Sequence, residues 1–374
     1  GNMTKIDIIS GFLGAGKTTL IKKLLSEAFT GEQVVLIENE FGEIGIDGGF
    51  LKESGIEIRE MNSGCICCCL VGVLGFSVRE VVDTYHPDRI LIEPSGVGKL
   101  SDVIRAVQDV QEEIDAELNS FTTVVDVTKC RIYRKNFGEF FSNQIEYAGA
   151  VILSRTDKAK PEKIEESVAL LRELNEKAPF ITTPISKLEG KKILETMESG
   201  KSLEEELLAE VICPVCGHAH DHDHEHGEEC GCHDHEHHHD HDHDHGEECG
   251  CHDHEHHNHD HDHGEGCSCG CHDHDHHHHH ADEVFTSWGM ETAAPIKRED
   301  LEAVLEDLAE TTHYGEVLRA KGMLPTDKAG EWLYFDLVPE QYEIREGKPE
   351  YTGKVCVIGA RLKEEELNKA FGRG

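Results

Sequence analysis

The sequence predicts a doubly wound α/β domain with a mostly parallel sheet, a disordered His/Cys-rich linker and a small α+β domain at the C-terminal end. Three observations predict it. Gly11-Phe12-Leu13-Gly14-Ala15-Gly16-Lys17-Thr18 matches Gly-x-x-x-x-Gly-Lys-[Ser/Thr], the phosphate-cradling P-loop. Residues 3 to about 205 alternate short β-rich runs with longer helical ones. From Gly217 to His280 there is no Leu, Ile, Val, Phe, Trp, Tyr or Met, so this stretch cannot bury enough apolar surface to offset its chain entropy. The expected boundaries are 1–205, 206–283 and 284–374.

In order, strands are expected at Lys5–Ser10, Gln33–Asn39, Ile56–Glu60, Arg89–Glu93, Phe121–Asp126, Ala150–Ser154 and Phe180–Thr183. Several are continuous aliphatic runs, as in a parallel sheet covered on both faces. Helical spacing covers Thr18–Ala28, Gly75–Tyr85, Lys99–Asp109, Glu139–Glu146, Glu162–Lys177 and Leu188–Ser199. Ligands of such a sheet sit at the carboxyl ends of its strands. After the linker, strands are expected at Val284–Trp288, Val317–Gly322, Glu331–Val338 and Lys354–Arg361, in a mostly antiparallel sheet, with helices at Arg298–Glu310 and Lys363–Phe371.

The P-loop lies between a strand and a helix, so free helix N–H groups face a phosphate. Gly11, Gly14, Ala15, Gly16, Lys17, Thr18 and Thr19 form the expected nucleotide cradle. Lys17 reaches the β- and γ-phosphates and Thr18 holds Mg²⁺. Glu93 ends a strand beside the P-loop and is a second Mg²⁺ ligand; Gly96 lets backbone approach the γ-phosphate. The loop Glu38-Asn39-Glu40-Phe41-Gly42-Glu43, joined by Asp47, is placed to sense γ-phosphate and metal. Lys17, Glu40 and Glu93 are the candidate catalytic residues. In Ser154-Arg155-Thr156-Asp157, Asp157 accepts from guanine N1–H and the exocyclic amine, a donor pair adenine lacks. Arg155 lies flat over the base. Nothing in the sequence marks an arginine finger, so intrinsic turnover of about 10⁻⁴ to 10⁻² per second is expected.

The chain carries 15 cysteines and a formal net charge of −39. That charge disfavours nucleic acid and anionic membranes as partners. No apolar stretch approaches the roughly 20 residues of a membrane span and no secretory signal is seen, so a cytoplasmic protein is expected. Gly1-Asn2 ahead of Met3 reads as an expression scar. Cys65, Cys67 and Cys68 are soft donors suited to Zn²⁺, Co²⁺ or Ni²⁺. Adjacent thiols cannot all point one way on a regular strand, so an irregular loop is expected there, with Cys69 a substitute ligand or core residue. Cys213-Pro-Val-Cys216 is a plausible zinc knuckle. The tract that follows holds 27 histidines between His218 and His280, and His226–His238 recurs at His245–His257. It reads as a reservoir of weak, exchanging sites that releases metal near pH 6, because only neutral imidazole ligates. Cys130 and Cys356 are expected to pack in the core, as are His86 and His313 to serve structure.

The P-loop, Glu38-Asn39-Glu40-Phe41-Gly42, Gly64-Cys65-Ile66-Cys67-Cys68, Glu93-x-x-Gly96 and Ser154-Arg155-Thr156-Asp157 occur in that order. Together they resemble the CobW-type GTPases of metal homeostasis, relatives of the urease and hydrogenase nickel-insertion GTPases. Gly315-Glu-Val-Leu-Arg319-Ala-Lys321-Gly322 is similar to their C-terminal domain. Two departures stand out: Ser154 and Arg155 replace the Asn and Lys of the family's Asn-Lys-x-Asp, and Val71–Gly75 replaces a polar, Arg/Asp-containing segment. The resemblance implies a GTP-hydrolysing metallochaperone whose Cys-x-Cys-Cys site is coupled to Mg²⁺–GTP. It would deliver zinc or cobalt to a client metalloprotein or a cobalamin-pathway enzyme. The alternative reading is a metal store with a regulatory or vestigial nucleotide domain.

Overall fold

A computed structural model describes residues 3–12, 14–38, 49–51, 56–61, 65–70, 74–94, 99–198, 203–211 and 285–372. The expected linker lies outside the described residues, apart from its first few positions.

The first domain runs β1 (Thr4–Ser10), α1 (Lys17–Glu27), β2 (Val34–Glu38), β3 (Gly49–Leu51), β4 (Ile56–Met61), β5 (Cys65–Leu70), α2 (Leu74–Tyr85), β6 (Arg89–Glu93) and α3 (Leu100–Gln111). It continues through β7 (Ala116–Asp126), α4 (Cys130–Asn136), α5 (Gly138–Glu146), β8 (Ala150–Ser154), α6 (Pro161–Leu174), β9 (Phe180–Ile181) and α7 (Gly190–Glu198). The strands form one sheet in the order β3-β4-β5-β2-β6-β1-β7-β8-β9. From β5 to β9 every pairing is parallel; β4 runs antiparallel to both β3 and β5.

Strand residues alternate between two cores, as the pleat requires. Ile6, Ile8, Val35, Ile37, Ile90, Ile92, Val125, Val151 and Leu153 pack in one cluster with residues of α2, α3, α5 and α6. Ile9, Val34, Leu36, Leu91, Val124 and Ile152 pack in the other with Leu20, Leu24, Ile193 and Met197 of α1 and α7. Each central strand is therefore apolar throughout, which is why it reads as a continuous run in the sequence. Asp7 is the exception. Its carboxylate is fully buried and is met by Arg89 Nη1 at 2.5 Å and Asn119 Nδ2 at 2.8 Å, a paired state that burial of a charge demands.

The structure corrects the expectation at the cysteines. Residues 65–70 are a strand, not an irregular loop, and the register sets Cys67 opposite Leu36, Cys68 opposite Ile37 and Cys69 opposite Glu38. Two ladders hold this backbone, one to β2 and one to β4. Pairing on both sides outweighs the awkward spacing of adjacent thiols.

α8 (Leu203–Val211) leads out of the first domain, past position 205. The second domain comprises β10 (Phe285–Thr292), α9 (Arg298–Glu310), β11 (Glu316–Pro325), β12 (Trp332–Val338), β13 (Gln341–Gly347), β14 (Gly353–Ala360) and α10 (Glu364–Ala370). Its sheet is antiparallel throughout, in the order β10-β14-β11-β12-β13. Leu301, Leu305, Leu308 and Leu367 of α9 and α10 cover one face with Phe335 and Val357. Leu203 and Leu207 of α8 cover the other with Leu318, Trp332, Cys356 and Ile358.

The two domains lock through α6, β9 and α7. Thr182 and Thr183 N–H both donate to Tyr351 O, at 2.9 and 3.0 Å. Thr182 Oγ1 lies 2.8 Å from Thr352 Oγ1, Glu165 Oε1 accepts from Thr292 Oγ1 and Ala293 N at 2.7 Å, and Lys192 pairs with Glu350 at 2.7 Å. Arg172 reaches across to Glu291 with two hydrogen bonds.

Candidate functional site

The phosphate loop follows from three glycines. Gly11, Gly14 and Gly16 have φ of +148°, +77° and +107°, the left-handed region in which side chains are strained. At Gly11 space forbids a side chain as well, since a Cβ would lie 2.5 Å from Val124 O. α1 starts at Lys17, directly after Gly16, so its first N–H groups end in the loop. Thr18 and Thr19 are exposed there, as ligands of an incoming nucleotide must be. Lys17 is buried. Its Nζ donates to Gly11 O at 2.6 Å and lies 3.8 Å from Glu93 Oε1. The ammonium is thus folded back over its own loop, against the carboxylate expected to hold Mg²⁺. This donor set fits a magnesium–triphosphate: a cation for phosphate oxygens, an exposed hydroxyl and a half-buried carboxylate converging on one helix N-terminus.

Strand register extends the site sideways. Glu38 is opposite Glu93 on one side and Cys69 on the other. The carboxyl ends of β5, β2, β6 and β1 therefore stand in a row, with cysteine, two glutamates and the P-loop in sequence along it. At about 4.8 Å per strand, the cysteine strand is roughly 10 Å from β6 and roughly 14 Å from β1.

The loop Ser154–Asp157, expected from the sequence to meet a base, meets the P-loop from the other flank. Ser154 Oγ donates to Ala15 O and, at 3.3 Å, to Val125 O. Arg155 adopts a left-handed conformation (φ +61°). Its Nη2 donates to Gly14 O at 3.0 Å and its Nε lies 2.9 Å from Asp126 Oδ2. Asp157 is exposed on a single 3₁₀ turn, Thr156–Lys158. Two of these links are absent from the sequence reading: the Ser154 tie to the P-loop and the Asp126 carboxylate under Arg155. The signal for Asp126 is there, because it ends an aliphatic strand in an acid just as Glu93 does.

The structure thus brings together Gly11, Gly14, Ala15, Gly16, Lys17, Thr18, Thr19, Glu93 and Arg155, while Asp157 stands exposed two residues beyond Arg155. Glu40, Asn39, Asp47, Gly96, Cys213 and Cys216 lie outside the described residues, as do the side chains of Cys65, Cys67 and Cys68. Among the described residues no group of three or more His, Cys, Asp or Glu side chains is arranged to hold a metal ion. Cys130 and Cys356 are buried, and desolvation pushes their thiols up to about 11 and about 12, so both are inert core residues. His313 stacks on Tyr314 at 4.6 Å and pairs with Asp307 and Glu366 through opposite ring nitrogens, a structural arrangement. No described helix is long and apolar enough to cross a membrane.

Family models match the same two regions: the CobW/HypB/UreG nucleotide-binding domain over residues 5–182 and the cobalamin synthesis protein CobW C-terminal domain over residues 285–373. The chain belongs to the CobW/HypB/UreG family. It is 32% identical over 160 residues to the zinc chaperone YeiR of Escherichia coli, covering 43% of this chain and 49% of that protein. It is 28% identical over 217 residues to the zinc chaperone YjiA of the same organism, covering 56% and 65%. The chain thus spans about half to two-thirds of the length of the curated relatives it matches. The crystal structure of zinc-bound YjiA GTPase from E. coli matches with 21% identity and a TM-score of 0.40, over 99% of this chain and 98% of that one. The two matched regions contain the two sheets.

Proposed function

We propose that this chain is a GTP-hydrolysing metallochaperone of the cytoplasm that binds a transition metal through Cys65, Cys67 and Cys68 and passes it to a client protein. Zinc is the favoured cargo, with cobalt next: thiolate donors suit both, and YeiR and YjiA are named zinc chaperones. The observation that carries the reading is the row of strand ends in which Cys69, Glu38 and Glu93 are register neighbours. A change at the γ-phosphate that moves β2 is one strand away from the cysteine strand, and one that moves β6 is two strands away.

In this reading Lys17 leaves Gly11 O for the β- and γ-phosphate oxygens, Thr18 and Glu93 hold Mg²⁺, and Asp157 selects guanine. Bound Mg²⁺ supplies neutralisation of charge on the transferring phosphoryl group. Glu40 orders with the triphosphate, and the cysteine site is tight only then. Typical couplings of about 1–3 kcal/mol change affinity 5- to 150-fold, and directed transfer needs the upper end of that range.

The test is a metal titration of protein lacking residues 213–280, with GDP and with a non-hydrolysable GTP analogue. A single site whose affinity depends on the nucleotide supports the reading. Loss of nearly all binding on deletion favours a metal store instead, a reading the 27 histidines of the tract support.

A further inference from the structure

Two residues of the base loop differ from the family's usual Asn-Lys, and the structure shows what the replacements hold. Arg155 is fixed at three points. Its backbone is left-handed, its Nη2 is on Gly14 O at 3.0 Å, and its Nε is 2.9 Å from Asp126 Oδ2. Asp126 is 1% exposed and directly opposite Ser154 in the β7–β8 register. Its other oxygen, Oδ1, accepts from Thr128 N at 2.9 Å and Thr128 Oγ1 at 2.6 Å. The carboxylate therefore divides its work: Oδ1 caps the turn, and the buried Oδ2, which accepts no hydrogen bond, stands at ion-pair distance from the guanidinium. The Arg155 side chain is still 44% exposed, so the tethered guanidinium keeps an open face.

A buried carboxylate strongly favours keeping its cation, because an unpaired charge at such a site is costly. An arginine on a mobile surface would sample many rotamers and lose that freedom when a base stacks on it. Here Asp126 removes the freedom in advance.

We propose that Asp126 is a positioning residue for the purine base: it pre-sets the Arg155 guanidinium as the platform on which the base stacks, next to Asp157, which reads the base edge. This rests on the nucleotide reading of the site given above. Stacking is indifferent to which purine is bound, so Asp126 sets affinity for base-bearing nucleotides while Asp157 sets guanine over adenine.

The test is Asp126→Asn in the full chain, with affinities for GDP, ADP and inorganic pyrophosphate measured by competition against a fluorescent GDP. The amide can present an oxygen to Arg155 or to Thr128 but not to both, so one donor is left facing a donor. The proposal expects GDP and ADP to weaken together by about tenfold or more, with pyrophosphate, which has no base, unchanged. Arg155→Ala should cause the same loss, and the double variant should be no worse than either single one. Equal weakening of pyrophosphate would mean that the pair merely shapes the P-loop, and unchanged GDP affinity would mean that it does nothing for the base. Either result overturns the proposal. Asp157→Ala is the control for the underlying reading, since it should erase the preference for GDP over ADP. If it does not, the base site lies elsewhere and the nucleotide reading fails independently of Asp126.

Discussion

Arg172→Ala should separate the unfolding of the two domains. The side chain leaves α6 and makes two hydrogen bonds to Glu291 of β10, at 3.0 and 2.6 Å. Nη1 donates to Asn175 O, Glu176 O and Ala178 O at 3.2, 3.1 and 2.6 Å, and the guanidinium lies 3.6 Å from the centroid of Phe180. Arg172 and Glu291 are about a quarter exposed, so solvent screening holds the ion pair to about 1 kcal/mol. Stacking on Phe180 adds about 1 kcal/mol. The carbonyls at the end of α6 lose charge-assisted donors, for about 1–2 kcal/mol more. The total is about 3 kcal/mol, with β9 beneath the lost contact. The chain has two tryptophans, Trp288 and Trp332, both in the C-terminal domain. Tryptophan fluorescence therefore follows that domain alone, whereas release of a fluorescent GDP follows the other. In the native protein the two signals should be lost together in urea. In Arg172→Ala the fluorescence midpoint, which loses only the Glu291 pair, should fall by about 0.3 M, and the GDP-release midpoint, which also loses the contacts within the first domain, by about 1 M, taking an m-value of about 3 kcal/mol/M. Coincident, unshifted transitions would refute the view that this arginine joins the domains.

The remaining predictions concern the site and the core. Gly11→Ala should abolish nucleotide binding as measured by titration calorimetry, since its Cβ would meet Val124 O at 2.5 Å at a φ of +148°. On the proposed reading, Cys67→Ala should weaken zinc affinity at least fivefold with the GTP analogue and leave GTP affinity intact; unchanged zinc affinity in both nucleotide states counts against the cysteine site. Alkylation at pH 8 with peptide mapping should leave Cys130 and Cys356 unmodified, because burial raises both thiols to about 11 and about 12. The folded state holds those protons more tightly than the unfolded chain, so their contribution to stability is intact below about pH 8.5 and fades as pH climbs through 11. Cys130→Ala should flatten that alkaline fall in a series of urea melts.

The parallel strands were legible because both their faces are buried, which leaves each as an unbroken aliphatic run such as Val34–Ile37 or Ile90–Ile92. The P-loop was legible for a different reason: positive φ and close approach at Gly11 admit no substitute residue. What the sequence hid falls into two kinds. β5 and β13 are poor in the usual signals. β5 is four cysteines among Ile66 and Leu70, and β13 is an edge strand whose exposed Gln341, Glu343, Arg345 and Glu346 read as loop. α8 reads as the beginning of a polar linker until Leu203 and Leu207 find the back of a sheet whose strands begin only at Phe285. The second kind is pairwise. No local pattern announces that Ser154 touches Ala15 or that Asp126 holds Arg155, since both contacts join segments brought together only by sheet order.

Sheet order also divides the roles a bound nucleotide can play. The second domain grips α6 and the end of β9, on the β8–β9 side where Asp157 lies and where the base is proposed to sit, and touches α7 through Lys192 and Glu350. The cysteine strand is on the other side of β1, beyond β6 and β2, where the residues proposed to meet the γ-phosphate lie. GDP and GTP share a base and differ in the terminal phosphate. A signal at the base edge therefore distinguishes empty from loaded protein, and one at the phosphate edge distinguishes triphosphate from diphosphate. Metal affinity that tracked only occupancy, equal with GDP and with the GTP analogue yet lost without nucleotide, would place the coupling at the wrong edge for the cysteine strand to be its receiver.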